Sequence, residues 1–225
     1  MILTAHQPTF APWLGTFSKI AQADQFCSFD AVQMTRQDWL TRQYIKTPAG
    51  PLLLVVPVEM AGRTGKRICE VEIVPGNWAR KHMRTIQLNY RRAKYFDQHF
   101  AGIGAILDMY ADGGRLVDMN LDLLRYFMRV LGIQVPIVNA SDYDFQGDKS
   151  FLVLDMCRRL GATEYIFGGE GRGYADVGAF VDAGVTPRFQ EYQCKEYPQL
   201  YPPFLSRLSV IDIAMNCGPE SRQYL

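Results

Sequence analysis

A group of residues that could carry out acid–base chemistry lies near the start of the chain, where His6, Gln7 and Pro8 follow a short apolar run. A neutral imidazole can accept a proton near neutral pH, so His6 could act as a general base or hold a phosphate or carbonyl oxygen. Residues 12–15, Pro-Trp-Leu-Gly, suit the first turn of a helix, and Gly15 would let a substrate approach the backbone closely. A histidine that only satisfies a backbone carbonyl at the end of a strand is an equally good interpretation.

Asp30 is the next candidate, because it ends a second apolar run at residues 26–29. Parallel strands end at the same edge of a sheet, so we expect Asp30 and His6 to line one pocket. Further along, Arg42 and Lys46 are an even number of residues apart in a segment with strand character, which puts both on one face. These two cations could clamp a phosphate or carboxylate, although exposed charges on a hairpin would give the same pattern.

The glycine-rich segment at residues 168–173, Gly-Gly-Glu-Gly-Arg-Gly, follows a predicted strand. Backbone N–H groups in such a segment can cradle a phosphate, and Glu170 and Tyr174 would be presented to the ligand. The segment lacks the Gly-Lys-Ser/Thr ending of a P-loop, and it is not a Gly-x-Gly-x-x-Gly followed by a clear helix. A tight turn without a ligand is therefore an equally good interpretation.

Ser209 and Asp212 have the spacing of a capping box, with aspartate in place of the usual glutamate. We interpret Ser209 as the cap of the last helix rather than as a nucleophile, because no histidine lies near it in the sequence to activate it. The five cysteines are scattered without Cys-x-x-Cys spacing, and the three histidines are not spaced as metal ligands. This pattern predicts neither a disulfide framework nor a metal site, and it makes a Cys–His nucleophilic enzyme a minor alternative.

The whole chain has 225 residues, 24 basic and 23 acidic side chains, and a formal net charge of +1. A nearly neutral chain has no overall field to attract nucleic acid or an anionic membrane, so we expect neither as a partner. The longest apolar stretch, at residues 51–58, is far too short to span a bilayer, and the N-terminus does not have the pattern of a signal peptide. We therefore expect a soluble cytoplasmic protein.

The elements that must position these residues alternate between strand and helix at both ends of the chain. The strands are predicted at residues 1–5, 26–29, 43–46, 52–58, 68–73, 135–139, 165–167 and 186–192. The helices are predicted at residues 13–23, 78–90, 95–110, 116–131, 151–160, 177–183 and 208–216. This order predicts a single α/β domain over residues 1–225 with a mostly parallel sheet, and a helical insertion or subdomain at residues 78–132.

Five segments occur in an order that resembles the WbqC-like family: HQPTFAPWLGTFSKI, AQADQFCSFDAVQM, TRQYIKTPAGPLLLVVPV, YIFGGEGRGY and FLSRLSVIDIAMNCG. The resemblance covers nearly the whole chain, and the first and last motifs are specific in combination. The chain departs from the family pattern at Thr16 and Phe17, where a Tyr-Phe pair is expected, and at Gln43, where asparagine is more usual. These departures concern the shape of the pocket.

The resemblance implies an enzyme of amino-sugar, O-antigen or secondary-metabolite biosynthesis that transfers an acyl or aminoacyl group to an amine of a small molecule such as a nucleotide-sugar. The donor would be a phosphopantetheine thioester on an acyl carrier protein. His6 would be the catalytic base, and Asp30 would orient it or bind the amine. The expected substrate-binding residues are Gln7, Trp13, Gly15, Lys19, Gln33, Arg42, Lys46, Gly168, Gly169, Glu170, Gly171, Tyr174, Ser209 and Asp212.

The first thirty residues are also similar to the opening of HIGH-type nucleotidylyltransferases, which implies a Rossmann-like core. Trp13 and Thr16 stand where that motif has its histidines, so an altered site is expected. Two alternatives remain open. One is a nucleotide-dependent ligase or nucleotidyltransferase that uses a nucleotide with Mg²⁺, and the other is a non-catalytic binding protein of the same pathway.

Overall fold

The computed structural model describes residues 1–34, 39–59 and 65–225. The seven strands in chain order are β1 Ile2–His6, β2 Gln25–Ser28, β3 Arg42–Thr47, β4 Gly50–Val55, β5 Ile137–Asn139, β6 Glu164–Phe167 and β7 Thr186–Phe189. The α-helices are α1 Leu14–Ile20, α2 Trp78–Tyr90, α3 Phe96–Met109, α4 Leu116–Val130, α5 Lys149–Leu160, α6 Val177–Asp182 and α7 Val210–Cys217. None of the helices in these three described stretches is long and apolar enough to cross a membrane.

Five strands form one sheet in the order β5-β2-β1-β6-β7, and every neighbouring pair is parallel. The expected α/β fold with a parallel, Rossmann-like sheet is therefore confirmed. The chain runs outward from the central strand β1 in two directions, first through β2 to β5 and later through β6 to β7. In sheets of this kind, ligands bind beyond the carboxyl ends of the strands where the direction of winding changes. That place is the end of β1, at His6.

Apolar residues cover both faces of the sheet, because a parallel sheet is buried on both sides. On one face, α1, α4 and α7 share a core with the helices α2 and α3 and with the hairpin of β3 and β4, and Phe17 of α1 meets Phe127 of α4 edge to face. On the other face, α5 and α6 pack on Leu3 and Phe167. The helix predicted at residues 116–131 forms as α4, and its residues Leu116, Met119, Leu123 and Phe127 lie in the core, where all four are fully buried.

The strand predicted at residues 68–73 is wrong at its start, because Ile68–Glu70 is a turn of 3-10 helix. The Glu70 carboxylate accepts hydrogen bonds from the Arg67 backbone N–H at 3.0 Å and from the Arg67 guanidinium at 2.7 Å, which closes the turn. Only single bridges remain from the predicted strand, between Ile73 and Val58 and between Glu72 and Arg115. The spacing of three between Ile68 and Val71 fits a helical turn better than the alternation of a strand.

Asn120 on α4 connects the helices in the middle of the chain to the loop that follows β1 through side-chain hydrogen bonds. Its side-chain amide is buried and donates hydrogen bonds to the carbonyl oxygens of Pro8 at 2.6 Å and Leu40 at 2.8 Å. Pro8 is two residues beyond His6, and Leu40 precedes the hairpin. A single side chain on α4 therefore holds together two backbone segments near the end of the central strand.

Asp212 lies at the centre of a second buried network. Its carboxylate accepts hydrogen bonds from the hydroxyls of Tyr90 at 2.7 Å and Tyr197 at 2.9 Å, and the Tyr90 oxygen accepts one from the backbone N–H of Lys46 at 2.8 Å. Burial raises the pKa of Asp212, while these hydroxyls and the charge of Lys46 oppose the rise. The network joins α7, α2, β3 and the segment that contains Tyr197.

His82 on α2 makes the stability of the fold depend on pH. Its ring is buried between Phe10 and Trp78, and burial lowers its pKa from 6.5 to about 4. As the pH falls below 6.5, His82 binds a proton in the unfolded chain, whereas in the folded chain it stays neutral down to about pH 4. The free energy of unfolding therefore falls as the pH is lowered through this range. Between pH 7 and pH 5 this residue alone should lower the free energy of unfolding by about 2 kcal/mol.

The measurement is urea unfolding of the wild type and of His82→Gln at both pH values. Glutamine keeps an N–H donor but does not titrate, and the other histidines contribute equally to both proteins. The variant should therefore lose about 2 kcal/mol less than the wild type. Equal losses in the two proteins would contradict the assignment.

Candidate active site

A cavity of about 540 Å³ lies beyond the carboxyl end of β1, and its wall contains residues that follow four strands of the sheet. We call it the polar lobe and define it by His6, Lys19 and the turn Gly169–Gly173. Ten residues that were expected from the sequence lie on its wall: His6, Gln7, Trp13, Gly15, Lys19, Gly168, Gly169, Glu170, Gly171 and Tyr174. The parallel sheet brings the ends of β1 and β6 to one edge, and α1 with its N-cap residue Trp13 adds Gly15 and Lys19 to the same wall.

His6 is the last residue of β1 and is half-buried on this wall. Burial, and to a lesser extent the positive charge of Lys19, lowers its pKa from 6.5 to about 3. The imidazole is therefore neutral throughout the physiological range, with one nitrogen able to accept a proton or hydrogen bond and the other able to donate one.

Lys19 is an unusual neighbour for His6, because its side chain is only 3% exposed. Its ammonium group donates a hydrogen bond to the carbonyl oxygen of Ala5 at 2.8 Å, and burial lowers its pKa to about 8. Within the described stretches of the chain, no carboxylate forms an ion pair with it. A buried cation with one neutral acceptor is costly, so the polar lobe favours a ligand that brings a negative charge.

The glycine-rich segment forms a 3-10 turn on the wall of the polar lobe, and the space around each of its glycines differs. A Cβ at Gly171 would stand 2.6 Å from the Cβ of Phe167, so glycine is needed there for the turn to pack on β6. A Cβ at Gly168 would meet nothing within 4 Å, and one at Gly169 would meet only the Gln190 carbonyl oxygen at 4.0 Å. These two positions thus leave open space, and Glu170 beside them is exposed on the wall.

The space beside Gly15 is occupied by the Trp13 side chain, whereas the sequence suggested that a substrate would approach the backbone there. A Cβ at Gly15 would come within 2.3 Å of the Trp13 indole, so the absent side chain makes room for Trp13. The indole meets Tyr192 edge to face at 5.5 Å, and the Arg207 guanidinium lies 5.7 Å from its ring centre. Gly15 therefore shapes the cavity by fixing the position of a wall residue.

A second cavity of about 580 Å³ adjoins the first and shares part of its wall, namely His6, Trp13, Thr16, Glu170 and Arg207. We call it the apolar lobe and define it by the residues that it does not share: Thr9, Trp39, Gln43, Tyr44, Pro51, Leu205, Ser206 and Leu208. The site thus has two lobes that meet at His6 and Trp13.

Six residues that were expected in the site lie on neither wall: Asp30, Gln33, Arg42, Lys46, Ser209 and Asp212. The Asp30 carboxylate is buried and accepts hydrogen bonds from the Ser141 backbone N–H at 2.9 Å and hydroxyl at 2.7 Å, so it holds the turn after β5 instead of contacting His6. Gln33 is exposed and bridges to Arg67.

Arg42 and Lys46 do not form the expected clamp. The Lys46 ammonium donates to Gln199 at 2.7 Å and to the Pro203 carbonyl oxygen, and the Arg42 guanidinium lies 5.5 Å from the Trp39 ring centre. The hairpin lines the apolar lobe with Gln43, Tyr44 and Pro51 instead, and Arg42 and Lys46 lie on neither wall.

Ser209 is confirmed as the cap of α7. Its hydroxyl accepts a hydrogen bond from the Ile211 backbone N–H at 3.2 Å and donates one to the Ala11 carbonyl oxygen at 2.9 Å. Asp212 does not complete the capping box, because its carboxylate serves the two tyrosines described above.

Eight wall residues of the polar lobe were not among the expected site residues: Ala5, Thr16, Phe29, Val153, Tyr165, Gln190, Tyr192 and Arg207. Gln190 and Tyr192 follow β7, so the rule that parallel strands end at one edge could have found them. Arg207 lies inside the last of the five quoted motifs, two residues before the cap of α7. Clusters of three or more His, Cys, Asp or Glu side chains that could hold a metal ion do not occur in the described part of the chain.

Comparison with known proteins gives two matches. The model of the WbqC-like protein family matches residues 7–224. An uncharacterized protein of Mycobacterium tuberculosis, Rv1507c, is 32% identical over 220 residues, which covers 97% of this chain and 95% of that protein. None of the solved structures is a significant match.

Proposed function

Because the chain belongs to the WbqC-like protein family, we propose that it is a biosynthetic enzyme that transfers an acyl or aminoacyl group to the amine of a small molecule. The observation that carries the proposal is the pairing of a neutral His6 with a buried, positively charged Lys19 on one cavity wall. A base and a cation side by side suit a reaction in which an amine loses a proton while negative charge develops nearby.

The amine lies between His6 and Glu170 in this proposal. The Glu170 carboxylate attracts the protonated amine to the wall that both lobes share, where the ammonium group first loses one proton to solvent. The His6 imidazole then accepts a second proton as the neutral amine nitrogen attacks. The new bond joins that nitrogen to the carbonyl carbon of a thioester. The carbon–sulfur bond then breaks, the sulfur leaves with the electron pair, and His6 returns the proton to it.

Lys19 supplies the positive charge in the polar lobe. Its ammonium group and the open backbone at Gly168 and Gly169 hold an anionic group of the substrate, such as the phosphate of a nucleotide-sugar. An anion at Lys19 offsets one of the two causes that lower the pKa of His6. The imidazole therefore becomes a stronger base when the anionic substrate binds, which couples binding to proton transfer.

The thioester donor is presented by an acyl carrier protein through its phosphopantetheine arm, and the amine belongs to an amino sugar or a similar metabolite. The test combines the protein with aminoacyl and acyl thioesters of N-acetylcysteamine and with amino-sugar nucleotides, and it follows amide formation by mass spectrometry. Amide formation without added ATP or Mg²⁺ is expected. A strict requirement for both would contradict the proposal and favour a nucleotide-dependent ligase.

Replacing His6 with glutamine should reduce turnover at least 100-fold, because glutamine keeps hydrogen bonding but cannot accept the proton. The matched control is His82→Gln, which removes a histidine that lines neither wall and should leave turnover within about twofold at pH 7.5. Thermal unfolding of both variants reports on folding. Normal turnover by a folded His6→Gln protein would show that His6 is not the base.

A further inference from the structure

The two lobes differ in chemistry although they meet at one wall. The only charged residues on the described wall of the apolar lobe are Glu170 and Arg207, and both belong to the shared part. Beyond that part the wall is largely aromatic and aliphatic, and it includes Trp39, Tyr44 and Leu205. A charged group thus finds its partners in the polar lobe and not in the depth of the apolar lobe.

From this division we infer that the apolar lobe binds the hydrocarbon chain of an acyl group whose carbonyl end lies at His6. The inference rests on the proposed function, because it assigns a place to one half of the acyl donor. A chain that enters from the shared wall leaves its polar end beside His6 and Lys19. The structure thereby assigns a preference for apolar acyl groups over short polar ones.

The aromatic residues of the lobe support this assignment, since they are exposed to an unusual degree. Trp39 is 46% and Tyr44 is 36% exposed, and their rings lie 5.9 Å apart on one wall. Apolar surface of this kind gains free energy when a ligand removes it from water. The Gln43 side-chain oxygen on the same wall is already engaged, because it accepts a hydrogen bond from the Tyr44 backbone N–H at 2.9 Å.

Trp13 marks the boundary between the lobes, and its position is fixed on several sides. Its indole fills the space above Gly15, meets Tyr192, and lies beside the Arg207 guanidinium. Its backbone forms a bridge with Ser209, the cap of α7. A rigid partition at this point would hold the reacting carbonyl in one place while the chain and the anion extend in opposite directions.

The test measures binding alone, so it does not depend on catalysis. The probes are acetate, butyrate and hexanoate, each titrated calorimetrically into the wild type. If the chain enters the apolar lobe, each added methylene should lower Kd about threefold to fourfold, and hexanoate should bind on the order of a hundredfold more tightly than acetate. Equal Kd values for the three acids would overturn the inference.

Two substitutions at Leu205 place the effect in the lobe. Leu205→Gln should flatten the dependence on chain length, and Leu205→Trp should exclude hexanoate while leaving acetate unchanged. The matched control is Leu88→Gln on α2, where the side chain is 55% exposed and lines neither lobe, and it should behave as wild type. An undiminished dependence in both folded Leu205 variants would also overturn the inference.

Lys19→Met separates this inference from the proposed function. Loss of the cation should weaken all three acids by a similar factor and keep the dependence on chain length. Amide formation with no dependence of Kd on chain length would leave the proposed function in place and reject the apolar acyl site. The dependence on chain length without amide formation would reject the proposed function and keep an apolar carboxylate site.

Discussion

Replacing Asn120 with aspartate is expected to lower the free energy of unfolding by about 3 kcal/mol or more at pH 7. The wild-type amide is buried on α4 and donates to the carbonyl oxygens of Pro8 and Leu40. An aspartate has nearly the same shape, but it would present a carboxylate to two carbonyl oxygens. Both carbonyls would lose their donor, and an uncompensated charge would be buried beside them.

The measurement is urea unfolding of the wild type and the variant, followed by circular dichroism. The matched control is Asn89→Asp on α2, where the amide is half-buried and donates to a single helix carbonyl, that of Thr85. This control should cost about 1 kcal/mol or less. Equal losses at positions 89 and 120 would mean that Asn120 does not join the two segments as described.

Replacing Asp212 with alanine should have an effect of similar size, about 3 to 4 kcal/mol. The hydroxyls of Tyr90 and Tyr197 would lose their acceptor in a buried place, and Lys46 would lose the nearby negative charge that favours its protonated form. Asp212→Asn should cost only about 1 kcal/mol, because an amide can accept from one tyrosine and donate to the other.

Urea unfolding of the two variants at pH 7 tests this order. Since Asp212 lies on neither cavity wall, the folded Asp212→Asn protein should keep its activity. Equal losses of stability in the two variants would show that the carboxylate charge matters more than the hydrogen bonds.

The elements that could be predicted from the sequence are those whose periodicity is set by local burial. β1, α1 and β2 follow one another within thirty residues, and each has the apolar spacing of its type, so their parallel arrangement was predictable. The 3-10 turn at Ile68–Glu70 was not, because it is closed by the side-chain bonds between Arg67 and Glu70. The spacing of Ile68, Val71 and Ile73 among charged residues gives no sign of the hydrogen bonds between Arg67 and Glu70.

The residues of the candidate site also divide into those that could be predicted from the sequence and those that could not. His6 ends β1 and Gly168 follows the parallel strand β6, so the rule that parallel strands end at one edge brings them together without further information. Asp30 also follows a strand that ends at this edge, but its carboxylate accepts hydrogen bonds from Ser141. That contact depends on a turn more than a hundred residues later in the chain. The side of the molecule on which Arg42 and Lys46 lie depends on how the hairpin packs, and strand alternation carries no information about that packing.

The place of β1 in the sheet also has a consequence for how the chain is made. The ribosome produces this strand before the other four strands of the sheet, and β2 can pair with one of its edges after about twenty more residues. The other edge must wait for β6, which begins at Glu164. At the usual rate of synthesis this delay is on the order of ten seconds. During that time one edge of the strand has no partner, although both edges are paired in the finished protein. Among the five strands of the sheet, the one that ends at His6 is therefore translated before the others and is among the last to gain both of its neighbours.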